Sequence, residues 1–356
     1  MVCNLWKRLF ESGIKIDYAY RTFIWDSEAS IKAHVHCVII GFSSVNVKCN
    51  KYIFNETEKI KVENINGYLL DAENIFIEKR SKPISNVPEI SLGGQAIDDG
   101  NFILTVKEKQ DLIKSEPQAE SFIRRYMMGK DFINRKPRYC IWLVDVNPSL
   151  LRSCPQVLER IKRVEAFRKS SQRSSTLRAA ETPSLFASIH ELEDNYIAIP
   201  KVSSKNRRYV PMDFLSPDII PGDKLFTMPN AGTYEFGIMM SNVQNAWMRA
   251  VCGRLKSDYS YSNTIVYNNF PWPSPTFEQK EKIEETAQGI LDARALYPDS
   301  SLADLYDPLT MPSELQKAHR NNDIAVMKAY GFDIKNMSES DCVAELMKMY
   351  QELTKD

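Results

Sequence analysis

The stretch Ser241–Pro273, SNVQNAWMRAVCGRLKSDYSYSNTIVYNNFPWP, alternates cations, amides and aromatic side chains. After Gly253 its tyrosines and its β-branched run predict a strand rather than a helix. On one continuous strand Lys256, Asp258 and Ser260 share a face, because strand side chains alternate with a period of two residues. The same alternation is typical of a solvated edge strand, so the pattern alone leaves both interpretations open.

The side chains of this stretch suit DNA recognition better than catalysis. Its cations, Arg249, Arg254 and Lys256, can hold phosphates or base edges. Its amides and short polar side chains offer the donors and acceptors that distinguish bases. No hydrolytic constellation lies within it.

The charge of the chain is balanced overall but unevenly distributed. Lysine plus arginine and aspartate plus glutamate each number 46, so the net charge is zero. The sequence after Thr276 is acidic, whereas cations dominate residues 152–178. These cations are Arg152, Arg160, Lys162, Arg163, Arg168, Lys169, Arg173 and Arg178. Because phosphate attraction is screened within roughly 10 Å at ordinary salt, a local basic surface predicts DNA contact, with a solvated helix face as the alternative.

Composition also bounds the class of protein and its compartment. No apolar run approaches the ~20 residues that a membrane span needs, and residues 1–10 lack the apolar core of a signal peptide. Seven cysteines are widely scattered and form no C-x-x-C pair. The pattern favours a cytoplasmic protein with reduced thiols and no membrane partner.

Several segments predict regular structure. A helix begins after Thr105, another begins at Ala119 beyond Pro117, and Ser338 with Asp341 forms an N-cap pattern. In residues 155–175 the apolar residues recur at helical intervals, at Val157, Ile161, Val164 and Phe167. Further helices are predicted at 275–297 and after Ser313, and strands at 35–41 (buried), 138–146, 195–204 and 207–215.

The run GRLKSDYSYSNTIVYNNFPWP (253–273) resembles the signature of MmeI-type restriction-modification enzymes, which are DNA adenine-N6 methyltransferases fused to a nuclease. The resemblance covers nearly the whole chain in matching order. The other similar segments are RTFIWDSEASIKAHVHCVIIGF (21–42), INGYLLDAENIFI (65–77), RRYMMGKDFINRKPRYCIWL (124–143), VSSKNRRYVPMDF (202–214) and SLADLYDPLTMPSELQKAH (301–319).

The resemblance implies an α+β chain of three parts. Residues 1–84 would be the C-terminal end of a methyltransferase domain, the remnant of an α/β sheet. Residues 85–272 would form a mixed α/β target-recognition domain that binds double-stranded DNA. Residues 273–356 would form a C-terminal helical domain.

The resemblance also implies which residues read bases. Lys256 and Asp258 lie where the specificity of the family varies. Lysine donates to guanine O6 and N7 and aspartate accepts from cytosine N4, so the two could read the halves of one G·C pair. Ser260 stands where relatives carry Arg, and that departure leaves its base contact in doubt.

Other expected contacts follow from the same resemblance and from the cation distribution. The DNA backbone would be held by Arg163, Lys169, Arg173, Arg207, Arg208 and Arg254. Arg207 and Arg208 belong to a loop pattern, SSxxRRYxP, in which phosphate and base contact are equally expected. Phe23 and Trp25 are the candidates to stack on a flipped adenine, since the target atom is unreachable inside a duplex. Both could equally be core aromatics.

Two motifs that adenine methylation needs in this family are missing from the sequence. These are a glycine-bearing loop after the first strand, which approaches S-adenosylmethionine, and an Asn-Pro-Pro-aromatic motif that holds the amino group. Gly93 and Gly94 lie in a polar loop without the required strand and helix. We therefore expect the C-terminal part of a longer enzyme, which binds the cofactor only in full-length form. The nuclease and methyltransferase regions would be supplied in cis or in trans, and no catalytic residue is assigned here.

Three alternatives are open at this stage. His34 and His36 could bind a metal, but no third ligand lies near. His190 with Glu191 and Glu193 could belong to a new catalytic site, but they lack a nucleophile and metal spacing. Aromatic residues beside cations could instead serve an RNA-binding or protein-interaction module. The DNA target itself is not readable from the sequence.

We predict that the purified chain transfers no methyl group by itself, because the cofactor loop and the amino-binding motif are missing. The measurement is incorporation of labelled S-adenosylmethionine into duplex DNA of mixed sequence. Methylated adenine above background, with contamination excluded, would contradict this expectation.

Overall fold

Helices and short strands are interspersed along the chain, which confirms the α+β class. The structure is a computed structural model and describes residues 2–25, 35–44, 49–55 and 58–355. Within these residues no helix is both long and apolar enough to cross a membrane.

The first region is one helix on a small sheet. Its elements are α1 (Val2–Glu11), β1 (Lys15–Trp25), β2 (Val35–Ser43), β3 (Lys51–Phe54) and β4 (Lys59–Val62). The sheet order is β2-β1-β3-β4, with β1 and β3 parallel and the other pairs antiparallel. Trp6 of α1 packs with Ile16, Ala19 and Ile53 into the core of this region.

The strand expected at 35–41 is present within β2, but the expectation that it is buried is wrong. Val38 and Ile39 are 46% and 43% exposed. The reason is that β2 stands at the end of the sheet order, so it has one strand neighbour among the described residues. A run of apolar residues predicted burial, but burial depends on what covers the strand, which the run does not contain.

Among the described residues the middle region carries three small sheets and seven helices. Its elements begin with β5 (Ser91–Leu92), β6 (Ile103–Leu104), α2 (Val106–Ser115), β7 (Ile123–Met127), α3 (Gly129–Ile133), β8 (Arg138–Ile141), α4 (Pro148–Arg152), α5 (Pro155–Lys169) and α6 (Ser174–Ala179). They continue with β9 (Tyr196–Pro200), β10 (Val202–Ser203), β11 (Asp213–Leu215), β12 (Ile219–Pro221), β13 (Leu225–Pro229), α7 (Thr233–Met239), α8 (Asn242–Val251), β14 (Gly253–Leu255) and β15 (Asp258–Ser260).

These strands pair across long stretches of sequence. The three sheet orders are β12-β7-β8-β6, β11-β9-β13-β5 and β10-β15-β14. In the third sheet, β15 pairs with β10 on one side and with β14 on the other. It therefore places the segment after β10 beside the tip of the β14–β15 hairpin.

Several sequence predictions in this region are confirmed, and others are wrong. Thr105 caps α2 through a capping box with Glu108. The helix predicted at Ala119 is wrong, because residues 117–122 form a short 3-10 turn that leads into β7. The strand predicted at 207–215 is confined to β11, since the amide of Val210 is taken by the side chain of Asn245, 2.7 Å away, instead of by a strand.

The last region is helical, as predicted. It contains α9 (Phe277–Ala295), α10 (Leu302–Leu305), α11 (Ser313–Tyr330) and α12 (Glu339–Leu353). Ser338 and Asp341 form the expected capping box at the start of α12. Buried residues of α9, α11 and α12 share one hydrophobic cluster with α7, α8 and β13. The domain boundaries at 84 and 272 stay predictions.

Helix α5 buries a different face from the one that its apolar spacing predicts. Val157 and Val164 are fully buried, but Phe167 is 39% exposed. Arg168, which the sequence grouped with the DNA-facing cations, is completely buried instead. Its guanidinium donates five hydrogen bonds to backbone carbonyls, those of Ala96, Ile97, Ala179, Thr182 and Leu185. Arg168 therefore joins α5 to two loops and is no DNA contact.

We predict that Arg168→Met destabilises the chain by about 3 kcal/mol or more, because five carbonyls lose a charged donor in a buried site. Arg168→Lys should recover only part of this loss, since an ammonium cannot reproduce the planar fork of donors. Urea and thermal unfolding midpoints measure the effect, with Arg163→Met on the exposed side of α5 as the control. Equal midpoints for the two methionine variants would refute a structural role for Arg168.

Candidate nucleic-acid interface

A cleft of about 1210 Å³ lies between the third sheet of the middle region and the β7–α3 segment. Its walls come from separate parts of the chain, including Ile97, Tyr126, Val202 and Leu255. The charged residues that line it are Asp98, Lys130, Asp131, Arg138, Arg173, Arg207, Asp223, Lys224, Lys256 and Asp258. The sequence predicted four of these as DNA contacts, and the fold brings those four together.

The cleft carries cationic groups that no acidic side chain of the described residues neutralises. Arg138 pairs with Asp131 and Lys224 with Asp223, at 2.8 and 2.7 Å. Four cations that line the cleft form no ion pair with any described residue. They are Lys130, Arg173, Arg207 and Lys256. A concave surface with unpaired cations attracts a polyanion, since its walls focus the field.

The β14–β15 hairpin corrects the prediction of one continuous strand after Gly253. Lys256 lies in the turn between the two strands with a positive φ of 56°, not on the strand that holds Asp258. The chain reverses there, so the two-residue alternation applies only within each arm. Asp258 and Ser260 do share a face of β15, because Tyr259 between them is buried.

The β-branched run Thr264–Val266 is helical rather than a strand. Residues 263–267 form one π-helical turn, which Ser262 caps by accepting from the amide of Ile265 at 3.3 Å. The indole of Trp247 donates to the carbonyl of Val266 at 2.9 Å, and the amide of Asn269 donates to two further carbonyls of the turn. These tertiary contacts override the strand preference of the β-branched side chains.

Lys256 and Asp258 both line the cleft although they do not share a strand face. One oxygen of Asp258 accepts from the backbone amide of Lys205 at 3.3 Å. That bond joins the hairpin to the 203–209 loop and leaves the other carboxylate oxygen of Asp258 without a described partner. Ser260 is half-buried and is not part of the cleft lining.

Arg207 is the most enclosed of the unpaired cations. Its Nε is buried and has no hydrogen-bond partner in the described chain. Burial lowers the pKa of Arg207, and the charges of Asp307 and Asp258 oppose that shift. An unsatisfied guanidinium donor in a cleft is a group that a phosphate or base oxygen would satisfy, so Arg207 is well suited to bind a nucleic acid.

Arg249 and Arg208 are held by the C-terminal helices. Arg249 forms a two-point ion pair with Glu339, at 2.7 and 2.8 Å, and also donates to the carbonyl of Arg208 at 2.7 Å. These contacts give Arg249 a structural role within the chain, in place of the DNA contact that the sequence suggested. The side chain of Arg208 is 66% exposed and lies 3.9 Å from Asp323.

Three more of the predicted backbone contacts lie on the exposed surface. Arg254 stacks over Tyr259 with 4.3 Å between guanidinium carbon and ring centroid, and it donates to the carbonyl of Ser257. Arg163 and Lys169 lie on α5 beside Glu159 and Glu165, with nitrogen–oxygen distances of 3.6 and 2.5 Å. None of these three arginine and lysine side chains lines the cleft.

The candidates for base flipping and for other chemistry lie elsewhere. Phe23 is half-buried on β1 opposite Cys37, and Trp25 is the last residue of that strand. His34 lies outside the described residues. His190 Nε2 is 2.8 Å from the hydroxyl of Thr227 and 3.3 Å from that of Ser91, and burial lowers its pKa.

Glu191, a neighbour of His190 in sequence, accepts from the indole of Trp142 at 3.0 Å. This contact gives Glu191 a structural role. No group of three or more His, Cys, Asp or Glu side chains in the described residues could hold a metal ion.

Sequence reasoning missed the polar residues behind the cleft, Tyr209, His319 and Asp323. Asp323 accepts from the hydroxyl of Tyr209 at 2.7 Å, and the Tyr209 ring stacks on His319 with 4.0 Å between centroids. Burial and the charges of Arg294 and Arg208 hold the pKa of His319 well below its usual range. One signal in the sequence was available. His319 and Asn322 recur at helical intervals with the apolar residues Leu315 and Val326, which predicts that they lie on the same buried helix face. All four are buried.

Comparisons with known proteins match all three regions. The model for the MmeI target recognition domain matches residues 71–274, which is more than half of the chain. The model for the MmeI C-terminal domain matches residues 276–356, and that for the MmeI DNA-methyltransferase domain matches residues 1–55.

Two relatives match almost the entire chain. DNA methyltransferase A of Bacillus subtilis (strain 168) is 38% identical over 353 residues, which cover 99% of this chain and 40% of the relative. The solved structure of the Type IIL restriction-modification enzyme MmeI in complex with DNA is 43% identical, with a TM-score of 0.93. It matches 99% of this chain and 48% of its own. The chain thus spans less than half the length of each relative.

Proposed function

Because this chain belongs to the MmeI family, we propose that it recognises a duplex DNA sequence for a restriction-modification adenine-N6 methyltransferase. The observation that carries the proposal is the cleft within the target-recognition match, where Arg173, Arg207 and Lys256 are unpaired and Lys256 and Asp258 lie together. S-adenosylmethionine would serve the whole enzyme, and methyl transfer would need the methyltransferase region beyond this match. The nuclease and methyltransferase parts would act with this chain, in cis or in trans, in the cytoplasm.

Lys256 and Asp258 are the proposed base readers. A lysine at a hairpin tip can reach guanine O6 and N7 in a major groove, and an aspartate two residues on can accept from cytosine N4. The free oxygen of Asp258 supports this role, since the other oxygen is held by Lys205 and fixes the carboxylate. Ser260, half-buried beside them, would contribute at most a short contact.

Phosphates would be held in two zones. Arg173 and Arg207 line the cleft and would make the inner contacts. Arg163, Lys169, Arg208 and Arg254 are exposed outside the cleft lining and would make outer ones. Phe23 and Trp25, at the end of β1 in the methyltransferase match, remain the proposed residues for stacking on a flipped adenine.

Single-stranded RNA binding by stacking is disfavoured. That alternative needs exposed aromatic rings beside the cations. The three tyrosines of the stretch, Tyr259, Tyr261 and Tyr267, are 8%, 2% and 0% exposed. They belong to the core under the hairpin and are not a stacking platform.

We predict that the chain binds duplex DNA weakly and that the affinity falls as salt rises. Arg173→Ala combined with Arg207→Ala should reduce the slope of log affinity against log salt concentration by about 1.8, because each lost phosphate contact contributes about 0.9. Fluorescence anisotropy over a salt series measures the slope. Arg163→Ala with Lys169→Ala tests the outer zone in the same way.

The matched control for these variants is Lys282→Ala with Lys348→Ala, which removes two exposed, ion-paired cations from the helical region. Its slope should equal that of the parent. A folded Arg173/Arg207 double variant with the parental slope would place the DNA surface outside the cleft.

We predict that exchanging Lys256 for Glu and Asp258 for Arg changes one base pair of the recognition site. The exchange reverses the order of donor and acceptor, so guanine would become cytosine at one position. A matched bidentate contact contributes ~1–3 kcal/mol of discrimination, and the preference should shift more than tenfold. Sequencing of methylated sites in the full-length enzyme measures this.

The control for this exchange reverses an exposed ion pair far from the hairpin, Lys282→Glu with Glu285→Arg. It should leave the site unchanged. An active, folded Lys256/Asp258 variant with the parental recognition sequence would show that these two residues do not read bases.

A further inference from the structure

Asp323 of α11 is a buried carboxylate, 8% exposed, that contacts two separate segments of the middle region. One oxygen accepts from the backbone amide of Asn242, the first residue of α8, at 2.7 Å. The other accepts from the hydroxyl of Tyr209 at 2.7 Å, and the guanidinium of Arg208 lies 3.9 Å away. A single side chain of the C-terminal helices thus joins the 203–209 loop to the start of α8.

The surroundings of Asp323 show that burial of its charge is costly. Desolvation raises its pKa to about 6, against the opposing effect of the bonds from Asn242 and Tyr209 and of the charges of Arg208 and Arg249. A buried carboxylate persists where donors satisfy it and where it lies at the positive end of a helix. Core packing alone would be served as well by an apolar side chain.

A second contact from the C-terminal helices ends at the same loop. Glu339, the first residue of α12, holds Arg249 of α8 in the two-point ion pair described above. Arg249 in turn donates to the carbonyl of Arg208 and to the side-chain oxygen of Asn242. Asp323 and Glu339 therefore hold the same two segments from two sides.

Both segments lead directly to the proposed base-reading site. Arg208 follows Arg207, which lines the cleft. Helix α8 ends at Val251, two residues before the hairpin that carries Lys256 and Asp258. The amide of Lys205 in the same loop donates to Asp258. The position of the loop and the start of α8 consequently sets where the cations and the hairpin lie.

We propose that Asp323 is a positioning residue for DNA recognition: by holding Tyr209, Arg208 and the start of α8, it fixes the 203–209 loop and the β14–β15 hairpin at the cleft. This inference rests on the proposed function. It assigns to the helical region the role of setting the geometry of a recognition surface on its neighbour.

The sign of the effect on DNA binding separates positioning from simple electrostatics. Removing a carboxylate near a polyanion site should tighten binding if its charge only repels phosphates. Positioning predicts the opposite, a loss of about tenfold, the effect of one misplaced charged contact. The loss should also act through Arg208, because that guanidinium is the exposed group that Asp323 holds.

The first arm of the test measures position without DNA. Hydrogen exchange is compared for the full chain, Asp323→Ala, Asp323→Asn and Tyr209→Phe, with Glu345→Gln as a control that removes an exposed carboxylate of α12. In Asp323→Ala the amide of Asn242 and the amides of 203–210 and 253–260 should exchange roughly tenfold faster, since a charged acceptor is lost. Tyr209→Phe should accelerate exchange in 203–210.

Protection of α9 should be unchanged in every variant, which shows that the fold persists. If Asp323→Ala does not fold, Asp323→Asn and Tyr209→Phe decide the question, because each retains side-chain volume and removes one interaction. Parental exchange in 203–210 and 253–260 in these folded variants would overturn the proposal.

The second arm is a double-mutant cycle on the affinity for mixed-sequence duplex DNA, with Arg208→Ala, Asp323→Asn and their combination. We expect Asp323→Asn to bind more weakly than the parent and than Glu345→Gln, and the loss in the double variant to be smaller than the product of the two single losses. Tighter binding by Asp323→Asn, or losses that multiply in the double variant, would overturn the proposal. A parent chain that binds no duplex DNA would refute the proposed function, while the exchange arm would still decide whether Asp323 positions the loop.

Discussion

Two segments beside the cleft meet at one buried carboxylate, that of Asp323, and a buried charge has to be satisfied by donors. Its two oxygens accept from the amide of Asn242 and from the hydroxyl of Tyr209, which belong to different segments of the middle region. Neither segment supplies a carboxylate of its own at this point. The helical region therefore holds two segments that lead to the cleft, although none of its residues is among those that line the cleft.

Charge distribution explains how a chain of zero net charge can present a cleft with unpaired cations. Acidic residues neutralise cations where the cations are structural, as with Arg138 and Asp131 or Arg249 and Glu339. Within the part of the chain that the structure describes, they leave Arg173, Arg207 and Lys256 of the cleft without an ion pair. Since attraction to phosphates is screened over a short distance, this local imbalance matters more than the total. Proximity in sequence is a poor guide here, because Arg168 lies among surface cations and is itself entirely buried.

The hairpin shows that two residues can lie together for a reason other than the one that the sequence suggests. Lys256 and Asp258 were expected to act together as neighbours on one strand face, but a turn separates them. They lie together at the cleft because β15 pairs with β10 and brings the 203–209 loop alongside. Membership in the MmeI family and the geometry of the cleft thus support the same proposed pair of base readers, for different reasons.

The sequence by itself determined the α+β class, the helices after Thr276 and Ser338, the cap formed by Ser338 with Asp341, and the family. Local spacing, capping residues and long motifs are properties of neighbours along the chain. Only the tertiary structure decided that Thr264–Val266 form a helical turn, that β2 is exposed, and that Arg168 and Arg249 serve the fold. Each of these depends on a partner distant in sequence, such as Trp247 for the turn or Glu339 for Arg249. Burial and pairing of a charge are set by what packs against it, and no local pattern contains that information.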